Sequence, residues 1–159
     1  MTDALKQAVA QHSVQYALDH DVIGIGTGST VDAFIAALAK APHRLQGAVT
    51  TSKRSAALLQ QHGIPVLSLN ATGTLPVYMD GADEVNAWGY CIKGGGGALT
   101  QEKIVASAAQ QFVCMVTANK VVATLGAFPL AIEVLEMARS YVARQVLAMH
   151  GDPVYREGF

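Results

Sequence analysis

Three short segments concentrate residues suited to chemistry. The first is Lys93-Gly94-Gly95-Gly96-Gly97, which runs into Ala98-Leu99-Thr100-Gln101-Glu102-Lys103. Consecutive glycines cost more backbone entropy than an ordinary turn requires, so something must approach the main chain closely there. A row of amides before a helix can stabilise an oxyanion, and Lys93 adds a cation beside it. Glu102 lies about one turn into that helix. It is either a partner of the helix dipole or a general base whose proton affinity is set by burial against the glycine wall.

The second segment, Asp80-Gly81-Ala82-Asp83-Glu84, follows an apolar run ending at Met79. Gly81 and Ala82 leave space between the carboxylates of Asp80 and Asp83, which fit either a ligand-binding turn or a solvated cap. The third, Gly24-Ile25-Gly26-Thr27-Gly28-Ser29-Thr30, links an apolar run to a helix. Converging amides, the helix N-terminus and two hydroxyls suit a phosphate held by Thr27, Gly28, Ser29 and Thr30. A structural turn is the other reading. The dinucleotide fingerprint fails at Ser29, and no Lys follows as in a P-loop, so a monophosphate fits better than a nucleotide.

His12, His20, His43, His62 and His150 are scattered without ligand spacing and read as surface or capping residues. Neither a metal nor a redox cofactor is expected. Cys91 and Cys114 stand apart, without a C-x-x-C pair, and read as reduced core thiols.

The elements that must carry these loops alternate helix and strand. Helical spacing runs from about Asp3 to Asp19, and Val22–Gly26 follows as a buried strand. Next come a helix through Ala33, Phe34, Ala37 and Leu38, a strand at 48–50, and a helix at 52–62 with Gly63 just past its end. Strands are expected at 65–67 and 75–78. The glycine run leads into a helix over about 98–110, then a strand at 112–116. Beyond Phe128 the texture changes to a mixed strand through Ile132 and Val134. A helix at 137–149 with apolar Met137, Tyr141 and Val142 comes next, then an extended end at 154–159. The βαβα order predicts a layered parallel sheet whose strand ends bring the three loops to one edge. Assembled there, they supply what proton transfer beside the carbonyl of a phosphorylated sugar needs.

Composition limits the alternatives. The 159 residues are 51% hydrophobic and 14% charged with a net charge of −1, which implies a folded core and gives no basic footprint for nucleic acid. No apolar stretch is long enough to span a membrane, and no secretory leader is visible, so a cytoplasmic location is expected.

The motifs at 26–30, 51–55 (Thr-Ser-Lys-Arg-Ser), 80–84 and 93–103, with those at 125–130 and 133–139, resemble type A ribose-5-phosphate isomerase in order and spacing along the whole chain. The resemblance implies interconversion of ribose 5-phosphate and ribulose 5-phosphate without a metal, in the pentose phosphate pathway, on a Rossmann-like α/β sheet with helices on both faces. It puts proton transfer on Glu102, and Asp80, Asp83 and Lys93 on the active-site loops. Thr27–Thr30 fall on the phosphate loop and Lys120 on a substrate-binding lysine. In the mechanism this suggests, Asp80 and Asp83 hold sugar hydroxyls and assist ring opening. Lys93 and the amides of Gly94, Gly95 and Gly96 stabilise the enediolate. Residues 1–127 are expected to form the catalytic domain and 128–159 an incomplete α+β subdomain. Members of the family usually continue further, so Val134, Val142, Val146 and Tyr155 are expected to lack packing partners. The expected partners are a small sugar phosphate and a second copy of the chain, as a homodimer or larger homo-oligomer. The alternatives are a non-catalytic sugar-phosphate sensor on the same fold, an inactive fragment, and, last, an acyl or CoA transferase.

Overall fold

A computed structural model describes residues 2–42 and 44–158 of the chain; His43 and Phe159, both named among the sequence expectations, lie outside them. Four parallel strands form the central sheet in the order β2-β1-β3-β6: β1 (Val22–Ile25), β2 (Gly47–Thr50), β3 (Leu75–Asp80) and β6 (Ala109–Cys114). A two-stranded antiparallel pair, β4 (Glu84–Val85) and β5 (Cys91–Ile92), stands apart from it.

The helices are α1 (Thr2–Ser13), α2 (Ser29–Leu38), α3 (Lys53–Gln61), α4 (Leu99–Ser107) and α5 (Arg139–Ala148). One buried cluster joins Ala10 of α1, Phe34, Ile35 and Leu38 of α2 and Leu59 of α3 to Ile23, Ile25, Val77 and Met79 of the sheet. A second joins Val105 of α4 to Val49, Leu75 and Tyr78. The sheet is thus covered on both faces, as parallel sheets require.

The boundaries differ from the periodicity reading where pairing or capping overrides propensity. The first helix ends at Ser13 and tightens into a 3-10 turn at Val14–Tyr16 instead of continuing to Asp19. Segment 65–67 is no strand. Pro65 lacks an N–H, and the contact with β2 reduces to one bridge, in which Ala48 N donates to Pro65 O and Leu67 N to Ala48 O.

Helix α4 stops at Ser107, short of Gln110, because the β3 ladder claims the residues after it: Leu75 N donates to Ala108 O, and Ala109 pairs with Leu75. The next strand therefore begins three residues before the expected Phe112 and ends at Cys114 rather than Val116. No strand forms through Ile132 and Val134. The last helix is preceded by a 3-10 turn at Glu136–Ala138, and neither buries a residue: Met137 of the turn is 95% exposed and Tyr141 of the helix 59%. Among the described residues no helix is long and apolar enough to cross a membrane.

Candidate active site

Strand β1 feeds β2 on one side, whereas β3 and β6 lie on the other. The order in which the parallel strands are added reverses between β1 and β3, the place where open α/β sheets take their ligands. Gly26 and Asp80 sit at those two strand ends. A Cβ on Gly26 would fall 2.0 Å from Asp80 Cγ, so the glycine is there to admit the carboxylate as well as to turn the chain.

Asp80 is fully buried and accepts four hydrogen bonds. Oδ1 takes Thr27 N (3.2 Å) and Gly81 N (2.8 Å), and Oδ2 takes the Tyr78 hydroxyl (2.6 Å) and Lys93 Nζ (2.9 Å). That fills the acceptor positions of a carboxylate. Lys93 Nζ also donates to Gly81 O and lies 3.2 Å from Glu102 Oε2. Two ammonium donors are thereby committed to Asp80 and the Gly81 carbonyl, whereas Glu102 Oε2, buried and within ion-pair distance, accepts no hydrogen bond.

Glu102, in the first turn of α4, is 5% exposed. Its proton affinity is raised, first by burial and then by the Asp80 charge, while Lys93 pulls the other way. Burial tends to lower the Lys93 pKa, but the fields of Asp80 and Glu102 together leave it raised, so the ammonium stays charged. The arrangement is a buried carboxylate with raised proton affinity touching a fixed cation, which is how a general base is tuned.

Asp83 is half-buried, and its Oδ2 accepts the Gly95 amide at 2.9 Å. Of the expected amide row, Gly95 is therefore already committed, while Gly96 is exposed with open space where a side chain would be. Gly94, at φ +98°, makes the sharp turn. Arg156 donates to Gly95 O from the end of the chain.

The phosphate-loop residues divide similarly. Thr27 N is used by Asp80, Gly28 (φ +108°) and Ser29 are exposed, and Ser29, Thr30 and Val31 open α2, where amides have no intrahelical acceptor. Ser52 Oγ caps α3 by accepting Ser55 N and donates to Thr27 Oγ1, and Ser55 Oγ donates to Gly26 O at 2.7 Å. Gly81 and Ala82 are half-buried beside Asp83. Lys120, also half-buried, ends a 3-10 turn tied to β4 by the Val85–Val121 bridge, which puts it at the same edge of the fold.

Three further side chains contribute to the site. Tyr78 read as an ordinary strand residue and Ser55 as part of a helix. Glu84, grouped with the acidic turn, is instead a buried clamp accepting Gly126 N (2.7 Å) and Phe128 N (2.8 Å). Only the regular two-residue spacing of Tyr78 and Asp80 on one strand face signalled any of this. Among the described residues no group of three or more His, Cys, Asp or Glu is gathered to hold a metal ion.

The chain is similar to known proteins of one family. Residues 47–158 match the family model for ribose 5-phosphate isomerase A (phosphoriboisomerase A). A ribose-5-phosphate isomerase A of Legionella pneumophila (strain Corby) is 56% identical over 155 residues, covering 98% of this chain and 72% of its own. The crystal structure of ribose 5 phosphate isomerase A from Neisseria gonorrhoeae superposes with a TM-score of 0.97 at 51% identity, covering 100% of this chain and 71% of the other. A D-ribose-5-phosphate isomerase in complex with phospho-erythronic acid is 32% identical with a TM-score of 0.91, over 98% of this chain and 70% of the other. By the family-model match, the identity to its relatives and the shared α/β fold, the chain belongs to the ribose 5-phosphate isomerase A family.

Proposed function

We propose that the chain interconverts D-ribose 5-phosphate and D-ribulose 5-phosphate, in the cytoplasm and as a homodimer or larger homo-oligomer, with Glu102 carrying the proton. The observation that supports this best is the buried Glu102–Lys93 pair at 3.2 Å beside the reversal point of the sheet. The phospho-erythronic acid complex of a relative supports the ligand class, a short phosphorylated acid of sugar-like shape. The exposed apolar side chains of Met137, Tyr141 and Leu147 support association.

In the open-chain aldose, the Glu102 carboxylate takes the C2 proton and the electron pair moves into the C1 carbonyl, giving an enediolate with its charge on O1. Glu102 becomes neutral in that step, so its hold on Lys93 loosens. The ammonium donor not committed to Asp80 or Gly81 then turns toward the new oxyanion, and the cation follows the charge without leaving Asp80. Return of the proton from Glu102 to C1, with the O2 proton passing to O1, gives the ketose.

Asp83 and Lys120 hold sugar oxygens in this reading. Gly28, Ser29 and Thr30, with the opening amides of α2, hold the phosphate. Asp80, with its acceptor positions filled, fixes Lys93 and the Thr27 turn rather than a sugar hydroxyl, which modifies the role first expected for it. The test is conversion of ribose 5-phosphate by the wild type and by Glu102→Gln. Loss of about 10²–10⁴-fold in kcat is expected for a missing general base. Undiminished turnover in the variant removes Glu102 from its role, and no turnover in the wild type removes the activity. A sensor of the same ligand would not need Glu102 set against Lys93.

A further inference from the structure

We propose that Tyr78 is a positioning residue for the proton-transferring pair: its buried phenol holds the Asp80 carboxylate in the orientation that shares Lys93 between Asp80 and Glu102. Tyr78 and Asp80 are two apart on β3 and so project from the same face of the sheet. The ring is fully buried and held on two sides. Gly24, its register partner on β1, has no side chain, and a Cβ there would come within 2.9 Å of Tyr78 Cδ2; Phe112 of β6 stacks on the ring at 5.7 Å between centroids. A ring so confined has one direction for its hydroxyl, and the Asp80 Oδ2 atom lies there at 2.6 Å. Short bonds from a hydroxyl to a carboxylate are among the strong ones.

Oδ2 is thus shared by the phenol and by Lys93 Nζ at 2.9 Å, and the same Nζ reaches Glu102 at 3.2 Å. The charged and titratable groups facing Glu102 are Asp80 on β3, Lys93 just after β5, Asp83 in the loop after β3, and Tyr78 itself. Cys114, at the end of β6, is the register partner of Asp80 and feels the charges of Asp80 and Lys93. Without the phenol, Asp80 keeps one donor on Oδ2, draws Lys93 closer and presents a less dispersed charge to Glu102. Both changes make Glu102 hold its proton more tightly. The phenol itself stays a donor, because burial and the Asp80 charge push its own pKa far above the usual range.

The kinetic half of the test rests on the isomerase reading, but the titration half does not. The Glu102 carboxyl is followed by ¹³C NMR against pH, without substrate, in the wild type, Tyr78→Phe, and Leu75→Val. The last loosens the same apolar cluster without touching the phenol. The Tyr78→Phe midpoint is expected to rise by about half a unit or more, a differential interaction in keeping with one lost charge-assisted hydrogen bond. That of Leu75→Val is expected to stay at the wild-type value. Where wild-type enzyme turns over, the acid limb of kcat moves upward with the Tyr78→Phe midpoint while KM changes less than about twofold. An unmoved midpoint in Tyr78→Phe, or an equal rise in Leu75→Val, overturns the proposal. Should Tyr78→Phe not fold, 3-fluorotyrosine at position 78, a stronger donor of similar volume, is expected to lower the Glu102 midpoint, and an unchanged or raised one overturns the proposal. A shifted midpoint in a chain without isomerase activity would sustain this inference while refuting the proposed function.

Discussion

Gly26→Ala tests the packing at the reversal point of the sheet. The added Cβ would stand 2.0 Å from Asp80 Cγ and 2.1 and 2.5 Å from its oxygens. Carbon atoms rest about 3.5–4.0 Å apart, so the carboxylate would have to retreat by roughly 1.5 Å or more. Such a move breaks its bonds to Thr27 N, Gly81 N, Tyr78 and Lys93 together. Strand β1 cannot yield instead, because it is laddered to β2 on one side and β3 on the other. Separating a buried carboxylate from its cation costs about 3–5 kcal/mol, which in a chain of this size lowers Tm by roughly 6–20 °C. The assay is a double-mutant cycle with Asp80→Ala by urea denaturation. Once the carboxylate is gone the Cβ meets little, so Gly26→Ala should then cost under about 1 kcal/mol and the coupling should exceed about 2 kcal/mol. Gly28→Ala is the contrast, since that position has open space and only its φ of +108° to strain. Strictly additive costs in the cycle, or a Gly26→Ala chain as stable as the wild type, would refute the reasoning.

The same geometry sets three other outcomes. Because the folded pKa of Glu102 is raised, the fold disfavours its charged form, and that penalty sets in as pH rises through the folded value. Glu102→Gln should therefore gain stability relative to the wild type between acid and neutral pH, read as a widening Tm difference; a narrowing one contradicts the burial argument. Glu84→Gln puts an amide donor against one of the two N–H groups it holds. It should cost about 1–3 kcal/mol and speed hydrogen exchange at Gly126 and Phe128, whereas unchanged protection there would count against the clamp. The Cys114 thiol is pushed up to about 12, chiefly by burial and then by Cys91, so its alkylation at pH 8 should be far slower than that of a free cysteine peptide. Equal rates would show the thiol to be open to solvent.

The parts legible in the sequence were those written locally. The strand–turn–helix at 22–38, the helix that follows 52 and the turn at Gly63 arise from residues that touch one another along the chain. Glu102 and Lys93 were also found locally, from one glycine run. What escaped depended on distant partners. Gly24 and Gly26 looked like requirements of a ligand loop, but their missing side chains are matched to Tyr78 and Asp80 on another strand. The helix at 99–107 ends because Leu75 claims Ala109, a fact of register invisible in the alanine- and glutamine-rich run itself. The tail was read as short of packing partners, and Met137, Tyr141 and Tyr155 are exposed, since an amphipathic pattern only says that a face can be covered.

The bonds that complete the site close long stretches of chain: Thr27 to Asp80 spans 53 residues, Glu84 to Phe128 spans 44, and Gly95 to Arg156 spans 61. Parallel pairing of this kind must meet its loop-closure entropy before any contact rewards it, so it forms late and slowly. During synthesis β1, α2 and β2 emerge well before β3, and the slots left by Gly24 and Gly26 stay vacant until Tyr78 and Asp80 arrive. The negative charge at the centre of the site therefore arrives with β3, and Lys93, Glu102 and β6, which all follow it along the chain, close over a carboxylate already in place.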